Sequence, residues 1–269
     1  MNGLILLKLT LVPALIAAVP LAGRRWGPAV AGWLSAFPVV AGPILLFMGL
    51  EQGPTFTATA AAGTLTAVLA NLAFGIAYAQ AASRRHAWPI SLVAGWAAYA
   101  LVVAALSINA RPPMAYMAIV VLIALGTAPL LYPKPPVASH ASSPLRTKGD
   151  LWLRMLAGAL LTATVTHLAF HIGPTLSGML AMFPVMGSVL AVFTHRHEGA
   201  IATIRLLKGM VLGYYAFSAF CIVLAITLPS WPLASSFATA LLIALSIQII
   251  SRLALQHGLP GPALWSPSK

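Results

Sequence analysis

The chain has 269 residues, of which 60% are hydrophobic and 7% charged, against roughly 25% charged in an average soluble domain. It cannot cover a water-facing globule, which excludes a soluble fold and a disordered chain. The net charge of +12, from 15 Lys+Arg against 3 Asp+Glu, fits the basic loops of a polytopic membrane protein and not a nucleic-acid surface.

A membrane helix needs about 20 mostly apolar residues. Nine segments meet that need: about 3–22, 28–50, 56–82, 87–107, 113–132, 151–171, 174–194, 200–228 and 232–254. Short connections rich in Gly, Pro or charge join them, such as AGRRWGP, LEQGP, ASRRHAWP, INARPP and LPSWP. The longest, YPKPPVASHASSPLRTKGD at 132–150, reads as a flexible basic linker. The first segment lacks a basic stretch before it and carries Arg24-Arg25 after it. That order turns the N-terminus outward. The cytoplasmic side then receives 13 cations: Arg24, Arg25, Arg84, Arg85, Lys134, Arg146, Lys148, Arg154, Arg196, Arg205, Lys208, Arg252 and Lys269. The other side receives 2, Lys8 and Arg111. An even number of spans would put the later charges on the wrong side.

GPAVAGWLSAFPV at 27–39 and GPTLSGMLAMFPV at 173–185 share the pattern G-P-x-x-x-G-x-L-x-x-F-P-V, at an offset of 173 − 27 = 146. The offset holds without a gap from Gly27 to Ala79, with 16 identities in 53 positions, including Phe47/Phe193, Gly53/Gly199, Thr57/Thr203, Gly63/Gly209 and Phe74/Phe220. Lys8 and Arg154 sit at the same offset, and Trp88-Pro89 and Trp231-Pro232 open the fourth segment of each copy. The expected organisation is all-helical, with repeat 1 at 1–110, a linker helix and cytoplasmic loop at 111–150, and repeat 2 at 151–269. Four segments plus one is odd, so the second copy enters the membrane upside down. This is a 4+1+4 inverted-topology repeat.

The run SGMLAMFPVMGSVLAVFTHRHEGAIATIRLLKGM, with an early basic residue on the preceding segment, resembles the GlpM-like family of small bacterial inner-membrane proteins. That family has four helices, a similar G-L-x-x-F-P element, a following E/x-G and an early Lys on its first helix. The resemblance implies two such four-helix units fused through a linker helix, and a bacterial inner-membrane address. It carries no catalytic residues to this chain.

Pro38 and Pro184 fall near the middle of the second and seventh segments. A mid-helix proline removes a backbone hydrogen bond and clashes with the preceding turn, and Gly32, Gly42, Gly178 and Gly187 weaken the same stretches. A break there makes each proline the first residue of a half-helix, with freed N–H groups as a partial positive charge near the bilayer middle. The alternative is a simple kink. The broken reading predicts a hydrated or occupied cavity bounded by Ser35, Phe37, Pro38, Phe183, Pro184 and Ser188.

Lys8 and Arg154 lie within spans, where an ionisable residue is a functional candidate, although both are near enough to helix ends to snorkel. Glu51, Asp150 and Glu198 all fall at membrane edges, so no carboxylate relay is expected, and an anionic or neutral solute is favoured. Lys8–Glu51 and Arg154–Glu198 are candidate pairs, one per face. His167 and His171 have i,i+4 spacing and lie near the outer face. They either line a path or hydrogen-bond between helices. His195 and His197 are expected in an interfacial loop on the inner side. That separation excludes a four-histidine site, and two histidines are too few for zinc. Asn71 and Gln80 are candidates to face a pathway. Arg205 and Lys208 suit anionic headgroups.

No H-E-x-x-H motif is present, and neither an enzyme activity, a metal nor a cofactor is expected. The expected function is a transporter or channel for a small anionic or neutral solute. A non-transporting scaffold of an envelope-assembly complex and a lipid flippase are the alternatives. The expected partners are lipid and solute, with a homo-oligomer left open and no nucleic acid.

Overall fold

Proline and glycine punctuate the helices. The computed structural model describes residues 28–35, 38, 41–108, 113–133 and 183–256. The expected spans 3–22 and 151–171, the loop at 134–150, and Lys8, Phe37, Arg154, His167 and His171 lie outside the described residues. The stretch expected as one span at 28–50 is two helices, α1 (Pro28–Ser35) and α2 (Ala41–Gln52). Between them stands Pro38, whose carbonyl accepts the Gly42 N–H at 2.9 Å. Proline has no N–H for the preceding turn, so the ladder stops before it and restarts from its carbonyl.

Gly53 separates α2 from α3 (Pro54–Ser83) at φ 87, ψ 170, with Pro54 opening the new helix. That backbone region is essentially confined to glycine. The Thr57 hydroxyl donates back to the Gly53 carbonyl at 3.0 Å. α3 closes with the Arg85 N–H on the Ala82 carbonyl (3.1 Å) and the His86 N–H on the Ala81 carbonyl (3.3 Å). This is a Schellman closure with Arg85 at φ 63, where glycine is usual. α4 (Trp88–Ile108) and α5 (Met114–Leu131, with Pro129 inside) follow.

α6 (Val185–Thr227) begins just after Pro184, whose carbonyl accepts the Ser188 N–H at 2.7 Å. Gly199, at φ 82, ψ 179, divides it into arms 185–198 and 200–227. The arms fold back on each other. A Cβ on Gly187 would lie 3.4 Å from Met210 Cε, whereas a straight helix would hold these residues about 35 Å apart. α7 (Leu233–Gln256) ends the described chain.

Helices α3 to α7 are each long and apolar enough to cross a membrane, as an integral membrane protein requires. α3 and α6 are the central pair, each with 56% of its apolar window buried, against 22–28% for α4, α5 and α7. The outer helices turn Ile90, Leu101, Ile119, Leu130, Leu242 and Ile250 outward, toward lipid. One continuous core joins Leu65 and Val68 of α3, Val121 and Leu125 of α5, Leu207 and Phe220 of α6 and Phe237 of α7. Its small members, among them Ala61, Ala70, Ala79 and Ala216, let backbones approach closely.

The two ends of the bundle differ in charge. At one end the Tyr78 hydroxyl meets His195 Nδ1 at 3.3 Å, and the Arg196 guanidinium lies 5.8 Å from the Trp88 ring centroid. Arg84, Arg85 and Arg196 share that end. At the other end Leu233 lies against Gly49, two residues from Glu51.

Candidate functional site

The helix starts at Pro38 and Pro184 are built alike. Each proline carbonyl receives the N–H four residues on, Gly42 in one case and Ser188 in the other. Pro184 is the N-cap of its helix, and the Pro38 carbonyl plays the same part. At Pro184 the expectation that the proline would be the first helical residue is therefore shifted by one place, and the described part of α2 begins at Ala41. From its proline, each half-helix runs to a glycine of the same conformation, Gly53 or Gly199. Thr203 repeats the Thr57 bond, with its hydroxyl 3.0 Å from the Gly199 carbonyl. At 1.5 Å per residue each start lies about 20 Å from its glycine turn.

The ring that closes on each start comes from a distant helix, α6 for Gly42 and α3 for Gly187. A Cβ on Gly42 would sit 3.7 Å from Phe220 Cζ, and a Cβ on Gly187 would sit 3.4 Å from Phe74 Cε1. Phe74 and Phe220 are themselves partners at the 146-residue offset, and both are buried. Phe74 also presses on α4, where a Cβ on Gly95 would come within 2.7 Å of its ring. Phe220 packs edge-on against Phe237 of α7, with centroids 6.1 Å apart.

The side chains around the second start are more tightly engaged. Ser188 is 2% exposed, and its Oγ accepts the Trp96 indole N–H at 2.9 Å. Phe183 is half-buried and packs on Trp96 (5.6 Å between centroids) and on Tyr99 (5.4 Å). Of the first start, Pro38 is buried and Ser35 is half-buried at the end of α1. α1 is tied to α7 by the Trp33 indole N–H on Ser251 Oγ (3.0 Å) and by the Gln248 amide on the Trp33 carbonyl (3.1 Å).

Asn71 is buried on α3 with its amide on the Ala67 carbonyl at 3.1 Å. Gln80 is exposed and reaches the end of α5, at the Leu131 carbonyl, at 3.4 Å. His195 and His197 are helical, not in a loop, because Gly199 alone reverses the chain. His195 contacts Tyr78 and His197 stacks on Phe193, centroids 6.3 Å apart. Among the described residues no three His, Cys, Asp or Glu side chains cluster as metal ligands. Buried Ser218 Oγ, Ser236 Oγ and Gln248 Oε1 have no hydrogen-bond partner among the described residues, so each is open to water or a polar solute.

Sequence reasoning missed Trp96 and Tyr99 as neighbours of Phe183. It recorded Phe74 and Phe220 only as repeat identities. Their retention at the offset, among many interchangeable Ala and Leu positions, was the available signal. Compared with protein-family models, curated proteins and solved structures, the chain has no significant match.

Proposed function

We propose that this chain is a transporter or channel for a small anionic or neutral solute, built as a 4+1+4 inverted repeat of nine spans. Its site lies between the two proline-started helices. The observation that carries the reading is the pair of like-built helix starts at Pro38 and Pro184, each seated against a phenylalanine of the other copy. Discontinuous helices from two opposed repeats, meeting near the midplane, are the recurring substrate-site layout of membrane carriers. Helix N-termini favour negative charge, and the chain's three acids all fall at membrane edges.

On this reading the N-terminus is outside and the C-terminus cytoplasmic, in a bacterial inner membrane as the GlpM-like resemblance implies. Lys8 and Arg154 stand at opposite mouths of the path, and Asn71, His167 and His171 line it with Ser35, Phe37, Phe183 and Ser188. The protein acts by passage of solute and not by bond chemistry.

The test is solute flux into proteoliposomes carrying the purified full chain, followed by light scattering across a panel of small anions and neutral polyols. At least one solute should enter faster than into protein-free vesicles. Pro38→Ala and Pro184→Ala should each restore helical bonding and slow that entry by more than their effect on thermal stability explains. Flux equal to empty vesicles for the whole panel would refute transport and leave the scaffold reading.

A further inference from the structure

The basic end of the bundle gathers cations from distant parts of the chain. Arg84, Arg85 and His86 form the exposed turn between α3 and α4. The Schellman closure of α3 holds Arg85 at φ 63, so an arginine occupies the place where glycine fits best. Arg196, at the far tip of the first arm of α6, is exposed and lies over the Trp88 ring, 5.8 Å from its centroid. The Tyr78–His195 contact at 3.3 Å fixes that tip beside the turn. Among the described residues the acid on this side is Glu198, which is already engaged, while Glu51 is at the opposite end.

Directly below the turn, α4 presents an apolar stripe to lipid. Ile90, Val93 and Leu101 are 55%, 62% and 71% exposed, and their spacing puts them on one face of the helix. Trp88 is half-buried on the opposite, inward face of α4, at the interfacial level where amphipathic rings collect. A cluster of guanidinium groups pairs with phosphate through parallel N–H donors. At this depth the available phosphate is a headgroup.

We propose that Arg84, Arg85 and Arg196 form a binding site for the phosphate headgroup of an anionic phospholipid, in the leaflet whose acyl region meets the outward face of α4. The site rests on the protein being membrane-embedded and is independent of whether it transports a solute.

The test is native mass spectrometry of the full chain released from micelles containing equal phosphatidylglycerol and phosphatidylcholine. The wild type should retain phosphatidylglycerol preferentially. Arg196→Gln should lower that retention roughly fivefold or more, and Arg196→Lys should fall between, keeping charge but losing the forked contact. Arg252→Gln removes one exposed cation from the end of α7 and should change retention by less than about twofold, as screening limits a charge outside the site. Should Arg196→Gln fail to fold, Arg84→Gln on the exposed turn carries the same comparison. Three results would overturn the proposal: equal retention of the two lipids, equal losses in Arg196→Gln and Arg252→Gln, or displacement of the lipid by millimolar inorganic phosphate.

Discussion

Replacing Gly199 by alanine separates backbone strain from packing. Gly199 stands at φ 82, ψ 179 and Gly53 at φ 87, ψ 170, and a Cβ on either meets nothing within 4 Å. Space is therefore free, and the whole penalty comes from forcing an L-residue into a region it rarely occupies. Such residues cost about 1–3 kcal/mol, a factor of roughly 5 to 150 in the folded-to-unfolded ratio. Gly63 is the matched control. It lies inside α3, and a Cβ there also meets nothing within 4 Å. Gly63→Ala should gain up to about 1 kcal/mol from helix propensity. The two variants should then differ by about 1–4 kcal/mol, the sum of the two effects. Equilibrium unfolding in dodecyl sulfate mixed micelles, followed by circular dichroism, reads that difference. Gly53→Ala should match Gly199→Ala to within about 1 kcal/mol, since both carry the same strain. The reasoning fails if Gly199→Ala is no less stable than Gly63→Ala.

The Trp96–Ser188 hydrogen bond at 2.9 Å should show a coupling of about 0.6–1.7 kcal/mol in a double-mutant cycle of Trp96→Phe and Ser188→Ala, the range found for interhelical bonds in lipid. A coupling indistinguishable from zero would remove it from the second helix start. Topology can be read in a Cys221→Ala background, because the one native cysteine is buried. Gln52→Cys should label with an impermeant maleimide from outside the cell and His86→Cys only from the cytoplasm. Labelling of both from one side would refute a membrane-crossing α3.

The helix breaks were legible because each has a local chemical cause. Pro38 lacks the donor that α1 would need to continue, and Gly53 and Gly199 adopt a backbone that other residues avoid. The extent of each break was less legible. The stretch His195 to Glu198 resembles a polar loop, yet one glycine suffices to reverse the chain, so helix persists to its edge. Helix rotation was the hardest feature to read. In water an apolar stripe marks the buried face of a helix, but in lipid both faces are apolar. Here the buried face of α3 carries small and large residues alike, with Ala58, Ala61, Ala70 and Ala79 inward beside Leu65, Phe74 and Tyr78, and Phe56 outward. The contact of Phe183 with Trp96 and Tyr99 depends on the rotation of α4 and α6, which no local signal sets.

The two helix starts share a backbone and differ in their side chains, and that difference bears on the proposed pathway. Around Pro184, Ser188 is held by Trp96, Phe183 by Trp96 and Tyr99, and Gly95 by the Phe74 ring. Alignment of Trp88-Pro89 with Trp231-Pro232 places Ala238, Thr239 and Leu242 opposite Gly95, Trp96 and Tyr99, so α7 lacks the aromatic clamp that α4 provides. Gly42 accordingly meets Phe220 at ordinary contact distance and has no hydroxyl to anchor. A carrier of opposed repeats alternates by exchanging the conformations of its halves. On the proposed carrier reading the halves are unequal in side chains, and the aromatic clamp on the second start would stabilise one of the two states. On that reading the Trp96–Ser188 bond is the contact whose release the exchange would require. Weakening it should move the balance between states more than the same loss at the Trp33–Ser251 bond, which ties α1 to α7 away from both prolines.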